Sequence, residues 1–119
     1  MTDWRISIEL KQYRIEITEL AESDMERAAD YIAYELKNVI AAKNILRGIR
    51  RQINSLADFP QRYELDDDEL LASVGIRSVC FKNYKIYYII SEWKVYIVRI
   101  LHILMDSRTM LYDTLGLGK

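Results

Sequence analysis

Residues 74–104 read VGIRSVCFKNYKIYYIISEWKVYIVRILHIL, and this stretch decides the fold. It contains three runs rich in Val, Ile and Tyr, which are separated at Lys82-Asn83 and at Glu92-Trp93. Such runs are typical of β-strands, and two short breaks between them are typical of tight hairpin turns. The stretch therefore predicts a three-stranded antiparallel meander.

Two-residue hairpin loops would pair Phe81 with Tyr84 and Ser91 with Lys94, which fixes the register and the two faces of the sheet. The predicted core face carries Arg77, Val79, Phe81, Tyr84, Ile86, Tyr88, Ile90, Val95, Ile97, Arg99 and Leu101. The other, mixed face carries Ile76, Ser78, Cys80, Lys85, Tyr87, Ile89, Tyr96, Val98, Ile100 and His102. A shift of one residue would exchange the faces beyond it.

Upstream of the meander, the sequence predicts one strand and two helices. Residues 13–18 alternate as a strand does. Ser23 and Glu26 have capping-box spacing before an apolar stripe over residues 21–37, and a second stripe runs from Ala42 to the stop at Phe59-Pro60. The two helices should form an antiparallel hairpin that covers the core face.

After the meander, Ser107 is predicted to cap a short C-terminal helix that Gly116 terminates. The fold class is therefore α+β: a helix hairpin packed on a four-stranded antiparallel sheet, in the order β-α-α-β-β-β, with a short C-terminal helix. We expect residues 13–116 to form one domain. Residues 1–12 are predicted to be an N-terminal arm or an extension of the first strand, with an edge that could pair with another chain.

Composition excludes several classes of function. A single cysteine in 119 residues excludes a disulfide framework or a cysteine-rich zinc site, so we expect a reducing cytoplasm and a buried Cys80. No bound metal, no cofactor and no membrane association are expected. The acidic run at residues 66–69 lacks the spacing of a calcium loop and is predicted to be a solvated loop.

Charge is unevenly distributed along the chain. Residues 1–74 hold 10 Lys/Arg and 15 Asp/Glu, whereas residues 75–119 hold 7 and 3, so the two parts carry −5 and +4. The basic half contains the meander, which suits an anionic partner.

His102 and Lys85 are the first candidate site residues, because the register places both on the mixed face. An imidazole can relay protons near neutral pH, and a nearby ammonium can stabilise charge that builds on phosphorus. The pair could therefore cleave a phosphodiester. The competing interpretation is that a lone histidine at a strand end is structural.

Arg77, Arg99, Tyr87 and Tyr96 are further candidates. An arginine on the core face needs a partner, so Arg99 is predicted to form a structural salt bridge with an acid of the first strand or of the helix hairpin. For Arg77 a salt bridge and a phosphate contact remain open. Tyr87 and Tyr96 could stack on RNA bases, although packing explains most of the nine tyrosines equally well.

Four segments together resemble the RelE/ParE family of type II toxins over residues 13–112: YRIEITELAESDMERAADYIAYEL, SLADFPQRY, GIRSVCFKNYKIYYII and VYIVRILHILMDSR. The resemblance implies a toxin that a cognate antitoxin neutralises by wrapping its helices and sheet. Residues 13–116 would then be a single RelE/ParE-like toxin domain. Association as a heteromeric toxin-antitoxin complex or as a homo-oligomer is expected, and plasmid stabilization is a role that fits the family.

The family divides by target. Toxins that resemble RelE cleave messenger RNA on the ribosome, and toxins that resemble ParE inhibit DNA gyrase. For the cleaving branch, the resemblance assigns catalysis to Lys85, Arg77 and His102. It adds Tyr112 to the RNA-binding candidates Tyr87 and Tyr96 of the mixed face. Arg108 is the fourth RNA-binding candidate.

The sequence also departs from the cleaving branch. Ser78 stands where a second cation is expected, and the two long helices with the FPQRY connection are closer to the ParE branch. Ribosome-dependent mRNA cleavage, as an mRNA interferase, is the first functional prediction. Gyrase inhibition without nuclease activity is the alternative, and a non-toxic protein-interaction module is the third hypothesis.

Overall fold

The computed structural model describes residues 12–117, and the structural statements below concern that part of the chain. Its elements follow one another in the order β1 (Arg14–Ile17), α1 (Glu19–Asp30), a π-helical segment (Tyr31–Glu35), α2 (Val39–Ser55), a 3-10 turn (Pro60–Arg62), α3 (Glu69–Ser73), β2 (Arg77–Phe81), β3 (Tyr84–Ser91), β4 (Lys94–His102) and α4 (Ser107–Leu115). The predicted α+β class and the helix hairpin are confirmed. The predicted arm at residues 1–11 lies outside the described residues.

The sheet has the strand order β1-β4-β3-β2. The β2-β3-β4 meander is antiparallel as predicted, with Phe81 opposite Tyr84 and Ser91 opposite Lys94. The prediction of a fully antiparallel sheet is wrong, because β1 pairs with β4 in parallel. Only strands joined by a tight hairpin are forced to run antiparallel, and β1 reaches β4 through a long connection that includes both helices.

A β-bulge in β4 overturns part of the predicted face assignment. Tyr88 lies opposite Ile97 and Tyr87 lies opposite Arg99, so Val98 is the extra residue. The side chains beyond Val98 therefore exchange faces. Ile100 packs in the core under the helix hairpin, and Leu101 packs on the other side.

The helix boundaries differ from the prediction because other residues form the caps. Thr18 caps α1 by accepting a hydrogen bond from the Ala21 amide at 3.2 Å, so the helix begins before Ser23. Asp106, rather than Ser107, caps α4, and Gly116 ends it as predicted. The acidic run is not only a solvated loop, because Asp68 caps the short helix α3.

The core has two parts, one on each face of the sheet. On the hairpin face, under α1 and α2, the residues predicted to be buried are confirmed at Ile32, Ile49, Ile53, Ile86, Tyr88 and Ile97, while Leu46 is half-buried. On the second face, α3 and α4 contribute to a smaller cluster of Leu71, Ile76, Tyr87, Val98, Leu101 and Leu111. The prediction of a buried Cys80 is wrong, because it is exposed on the edge strand β2.

Within residues 12–117, none of the helices combines the length and the apolar character that crossing a membrane requires.

Candidate functional site

The edge of β4 beyond the end of β1 is completed by side chains of α1 and its cap. The Thr18 hydroxyl donates to the Ile97 carbonyl at 2.9 Å, and the Asp24 carboxylate accepts from the Ile100 amide at 2.9 Å. Asp24 also binds Arg99 through two hydrogen bonds, of 2.8 and 2.9 Å. The predicted structural role of Arg99 is confirmed, and its partner is an acid of the helix hairpin.

Arg99 is held from two sides. Its Nη1 donates to the Thr114 hydroxyl of α4 at 3.0 Å, while Asp24 of α1 binds the rest of the guanidinium. Hydrogen bonding to Asp24 raises the pKa of Arg99 above its ordinary value. Because Asp24 and Thr114 bind its Nε, Nη1 and Nη2, Arg99 links α1, β4 and α4.

An open groove lies above this ion pair, with a volume of about 600 Å³. We call it the hairpin groove. Its lining is mostly apolar and comes from α1, the π-helical segment, the ends of β3 and β4, and the turn that leads into α4: Asp24, Arg27, Ala28, Tyr31, Tyr84, Arg99, Ile100, His102, Leu104, Met105 and Met110.

The rim of the hairpin groove exposes large apolar side chains. Leu104 is 87% exposed, and Tyr31 and Met105 are about half exposed. Tyr31 begins the π-helical segment, in which the Leu36 amide donates to the Tyr31 carbonyl at 3.1 Å. Because π-helical segments change the direction of side chains and often occur at functional sites, this groove is a candidate protein-binding surface.

His102 lines the hairpin groove. Its ring meets the Tyr84 ring edge-on, with centroids 5.3 Å apart, and its Nδ1 accepts a hydrogen bond from the Leu104 amide at 3.1 Å. Burial raises the pKa of Tyr84 above its ordinary value. One imidazole nitrogen therefore positions the turn after β4, and only Nε2 remains for another partner.

Lys85 lies on the opposite face of the sheet from His102. Lys85 pairs with Leu101, and His102 pairs with Tyr84. Because adjacent residues of a strand point to opposite faces, the bulge at Val98 places His102 on the hairpin face and leaves Lys85 on the second face. The prediction that both side chains emerge on one face is therefore wrong.

Lys85 lines a smaller pocket of about 220 Å³, which we call the second-face pocket: Asp66, Asp67, Asp68, Leu71, Lys85, Tyr87, Ser107, Arg108 and Leu111. The Lys85 Nζ lies 5.8 Å from the centroid of the Tyr87 ring. The Arg108 Nε approaches Asp68 to 3.4 Å, and the Tyr112 hydroxyl donates to Asp68 at 2.7 Å. Four of the seven predicted site residues therefore gather here, together with an acidic segment.

The network around Asp68 changes two ionisation equilibria. Hydrogen bonds from Tyr112 and from the Leu71 amide, together with the nearby Arg108, lower the pKa of Asp68. The same bond to Asp68 raises the pKa of Tyr112. Asp68 is therefore a charged acceptor and Tyr112 a neutral donor at neutral pH.

The fold itself uses three of the predicted site residues, Tyr87, Tyr96 and Arg77. Tyr87 is only 2% exposed, which leaves no ring face for a base. Tyr96 is half-buried against the second cluster. Arg77 Nη1 donates to the carbonyls of Gln61 and Tyr63, so it fastens the connection after α2 to the edge of β2.

Sequence reasoning missed Asp24, Arg27, Tyr31 and Asp68 as site residues. Of these, only Tyr31 has a sequence feature that could have indicated a binding site: it is a large aromatic residue outside the apolar stripe of the first helix. The others are acids and bases of ordinary spacing. In the described residues, no group of three His, Cys, Asp or Glu side chains is arranged to hold a metal ion.

Comparison with known proteins decides the family. The model of a family described as "ParE toxin of type II toxin-antitoxin system, parDE" matches residues 15–106. The chain belongs to the ParE toxin family. The match spans β1 to the turn after β4, so it includes the hairpin groove except for Met110.

Two solved structures have a similar fold. A chain of the chromosomal ParDE toxin-antitoxin system from P. aeruginosa is 15% identical with a TM-score of 0.65, and the match covers 76% of this chain and 95% of that one. A chain of the RelBE2 toxin-antitoxin complex from Mycobacterium tuberculosis is 21% identical with a TM-score of 0.58, covering 78% and 93%. No curated protein matches the sequence significantly.

Proposed function

We propose that this ParE-family protein is a growth-inhibiting toxin that binds DNA gyrase through the hairpin groove and does not cleave messenger RNA. The observation that carries the proposal is the separation of Lys85 from His102 by the sheet. The predicted cleavage mechanism needs a proton carrier and a cation at the same phosphodiester. Gyrase inhibition needs only a complementary surface.

The two faces of the sheet support this choice. On the second face, α3 and α4 cover part of the sheet, and Tyr87 is buried, so its ring offers bases no stacking surface. On the hairpin face, Leu104, Tyr31 and Met105 expose apolar surface around a groove. Exposed apolar patches next to a concave surface are typical of protein-binding sites.

We also propose that a cognate antitoxin silences the toxin by covering the hairpin groove. The two solved structures described above come from toxin-antitoxin systems, which supports a partner of this kind. A partner that fills the groove would remove Leu104 and Met105 from water, at about 25 cal/mol for each Å² of apolar surface buried. Gyrase and the antitoxin would then compete for one surface.

The test measures supercoiling by purified gyrase and maps messenger RNA ends on translating ribosomes. The Leu104→Ser variant should lose at least tenfold in inhibitory potency, because it removes the most exposed apolar side chain of the groove. Ile40→Ser is the matched control, since Ile40 is 74% exposed but does not line the groove. The Lys85→Ala variant should remain toxic, because Lys85 lies on the other face of the sheet. Transcripts should stay intact with the unmodified protein and with the His102→Gln variant alike.

Two outcomes would contradict the proposal. Cut transcripts that disappear in His102→Gln or Lys85→Ala would support messenger RNA cleavage, because losing a general acid or base costs about 100- to 10,000-fold in rate. Normal growth at confirmed soluble expression would instead favour a non-toxic interaction module.

A further inference from the structure

The second-face pocket contains side chains of the kind that bind phosphate groups in other proteins. The Asp68 carboxylate already contacts two of these side chains. Arg108 and Tyr112 both contact Asp68, and Lys85 lines the same pocket. A guanidinium, an ammonium and a phenolic hydroxyl are typical donors to phosphate oxygens. We infer that residues 66–68 act as an internal competitor, whose carboxylates keep nucleic-acid phosphates away from Lys85, Arg108 and Tyr112 at the second-face pocket.

Asp68 is held from several directions. Its Oδ2 accepts from the Tyr112 hydroxyl at 2.7 Å and from the Leu71 amide at 3.1 Å, and its Oδ1 lies 3.4 Å from the Arg108 Nε. The carboxylate therefore fills the position between α3 and α4 that an incoming phosphate would need. An RNA strand must displace Asp68 before it can reach these donors.

The neighbouring backbone fixes the acidic segment in this place. Asp66 Oδ1 accepts from the Asp68 amide at 2.9 Å, and the Asp66 amide donates to the Ile76 carbonyl at 2.9 Å. These bonds attach the acidic segment to Ile76, the residue that directly precedes β2. Asp67 is exposed at the mouth of the pocket.

Charge counting gives the direction of the effect. Three carboxylates and two cations line the pocket, which makes its formal charge −1. Without the carboxylates the same pocket would carry +2. Among the described residues, Lys85 makes no ion pair within 4.0 Å, so its ammonium can attract a phosphate once the acids are neutral.

The test is a triple variant, Asp66→Asn with Asp67→Asn and Asp68→Asn. Asparagine caps helices as well as aspartate does and still accepts from Tyr112, so the fold should persist. Binding of a fluorescent single-stranded RNA of twelve nucleotides is measured by anisotropy at several salt concentrations. We expect about tenfold tighter binding than in the unmodified protein and a steeper salt dependence by about one or two ions.

A matched control has the same change in net charge at a distant place. It carries Glu26→Gln, Asp30→Asn and Glu35→Gln, three exposed acids of α1 and the π-helical segment. Adding Lys85→Ala to the pocket triple should reverse most of its gain. An equal gain in the control triple, or a gain that survives Lys85→Ala, would overturn the inference.

A single substitution keeps the test decisive if the triple does not fold. Asp67 makes no hydrogen bond or ion pair among the described residues, so Asp67→Asn should leave the structure unchanged. We expect a gain of about two- to threefold over Asp30→Asn, and equal affinities would count against the inference. The readout is RNA binding by purified protein, so its outcome is independent of whether gyrase is the target.

Discussion

The Asp24–Arg99 pair is the residue-scale feature on which both the edge of β4 and the floor of the hairpin groove depend. Arg99→Met should lower the free energy of unfolding by about 3–5 kcal/mol, because it leaves the buried Asp24 carboxylate without its cation. The double variant Asp24→Leu with Arg99→Met should recover part of this loss. Urea denaturation measures all three.

The exposed pair Arg50–Glu22, 3.4 Å apart, provides the control. Arg50→Ala should cost less than about 1 kcal/mol, since half-exposed ion pairs are screened by water and salt. If Arg99→Met cost no more than Arg50→Ala, the buried pair would not hold the edge of β4.

Tyr88 gives a pH-dependent prediction at the same scale. Its hydroxyl donates to the Pro60 carbonyl at 2.7 Å, and burial raises its pKa to about 12. The folded state therefore favours the neutral phenol. The resulting contribution to stability is complete below pH 10, the ordinary pKa of tyrosine, and is lost as pH rises to about 12.

Tyr88→Phe should cost about 1 kcal/mol at pH 7, because it removes this hydrogen bond. The difference in unfolding free energy from the unmodified protein should shrink as pH rises from 10 towards 12. Denaturation at a series of pH values checks this, with the exposed Tyr34→Phe as control. A difference that stayed constant over the whole series would contradict the assigned pKa.

Sequence reasoning predicted roles better than partners at the residue scale. Arg99 had to be paired because a lone buried charge is costly, and this argument needs no coordinates. That Asp24 is its partner depends on the end of β1 at Ile17, since only there can a helix side chain reach the backbone of β4. No periodicity in the sequence marks that point.

At the element scale, α4 covers the second face of the sheet through Leu111, which is fully buried. Leu111→Ala should destabilise the fold by about 2–5 kcal/mol, the usual cost of truncating a buried leucine. Leu104→Ala, at a side chain that is 87% exposed, should change stability by less than about 0.5 kcal/mol. Thermal denaturation measures both variants. Equal decreases in their melting temperatures would show that α4 does not bury a core on the second face.

The bulge at Val98 explains why the predicted strands are correct although His102 and Lys85 do not share a face. Strand positions and both hairpin registers follow from composition and turn length, and they are confirmed. One extra residue in β4 then moved Ile100 and His102 to the hairpin face. A bulge within a run of β-branched residues leaves no composition signal, because every residue of the run suits a strand equally well.

For the whole molecule, we predict that deletion of residues 1–11 leaves the fold intact and changes association. The pairing of β1 with β4 begins at Arg14, which lies after the deleted segment. Circular dichroism and light scattering after size-exclusion chromatography measure fold and mass. An unfolded truncation would show instead that these residues belong to the core.

The parallel pairing of β1 with β4 has a consequence for synthesis in the cell. Residue 14 is synthesised 80 residues before its partner in the sheet, residue 94. At about 5–20 residues per second, the nascent chain waits several seconds with its first strand unpaired. A message that is cut or abandoned before the codons of β4 therefore yields a chain that cannot close its sheet.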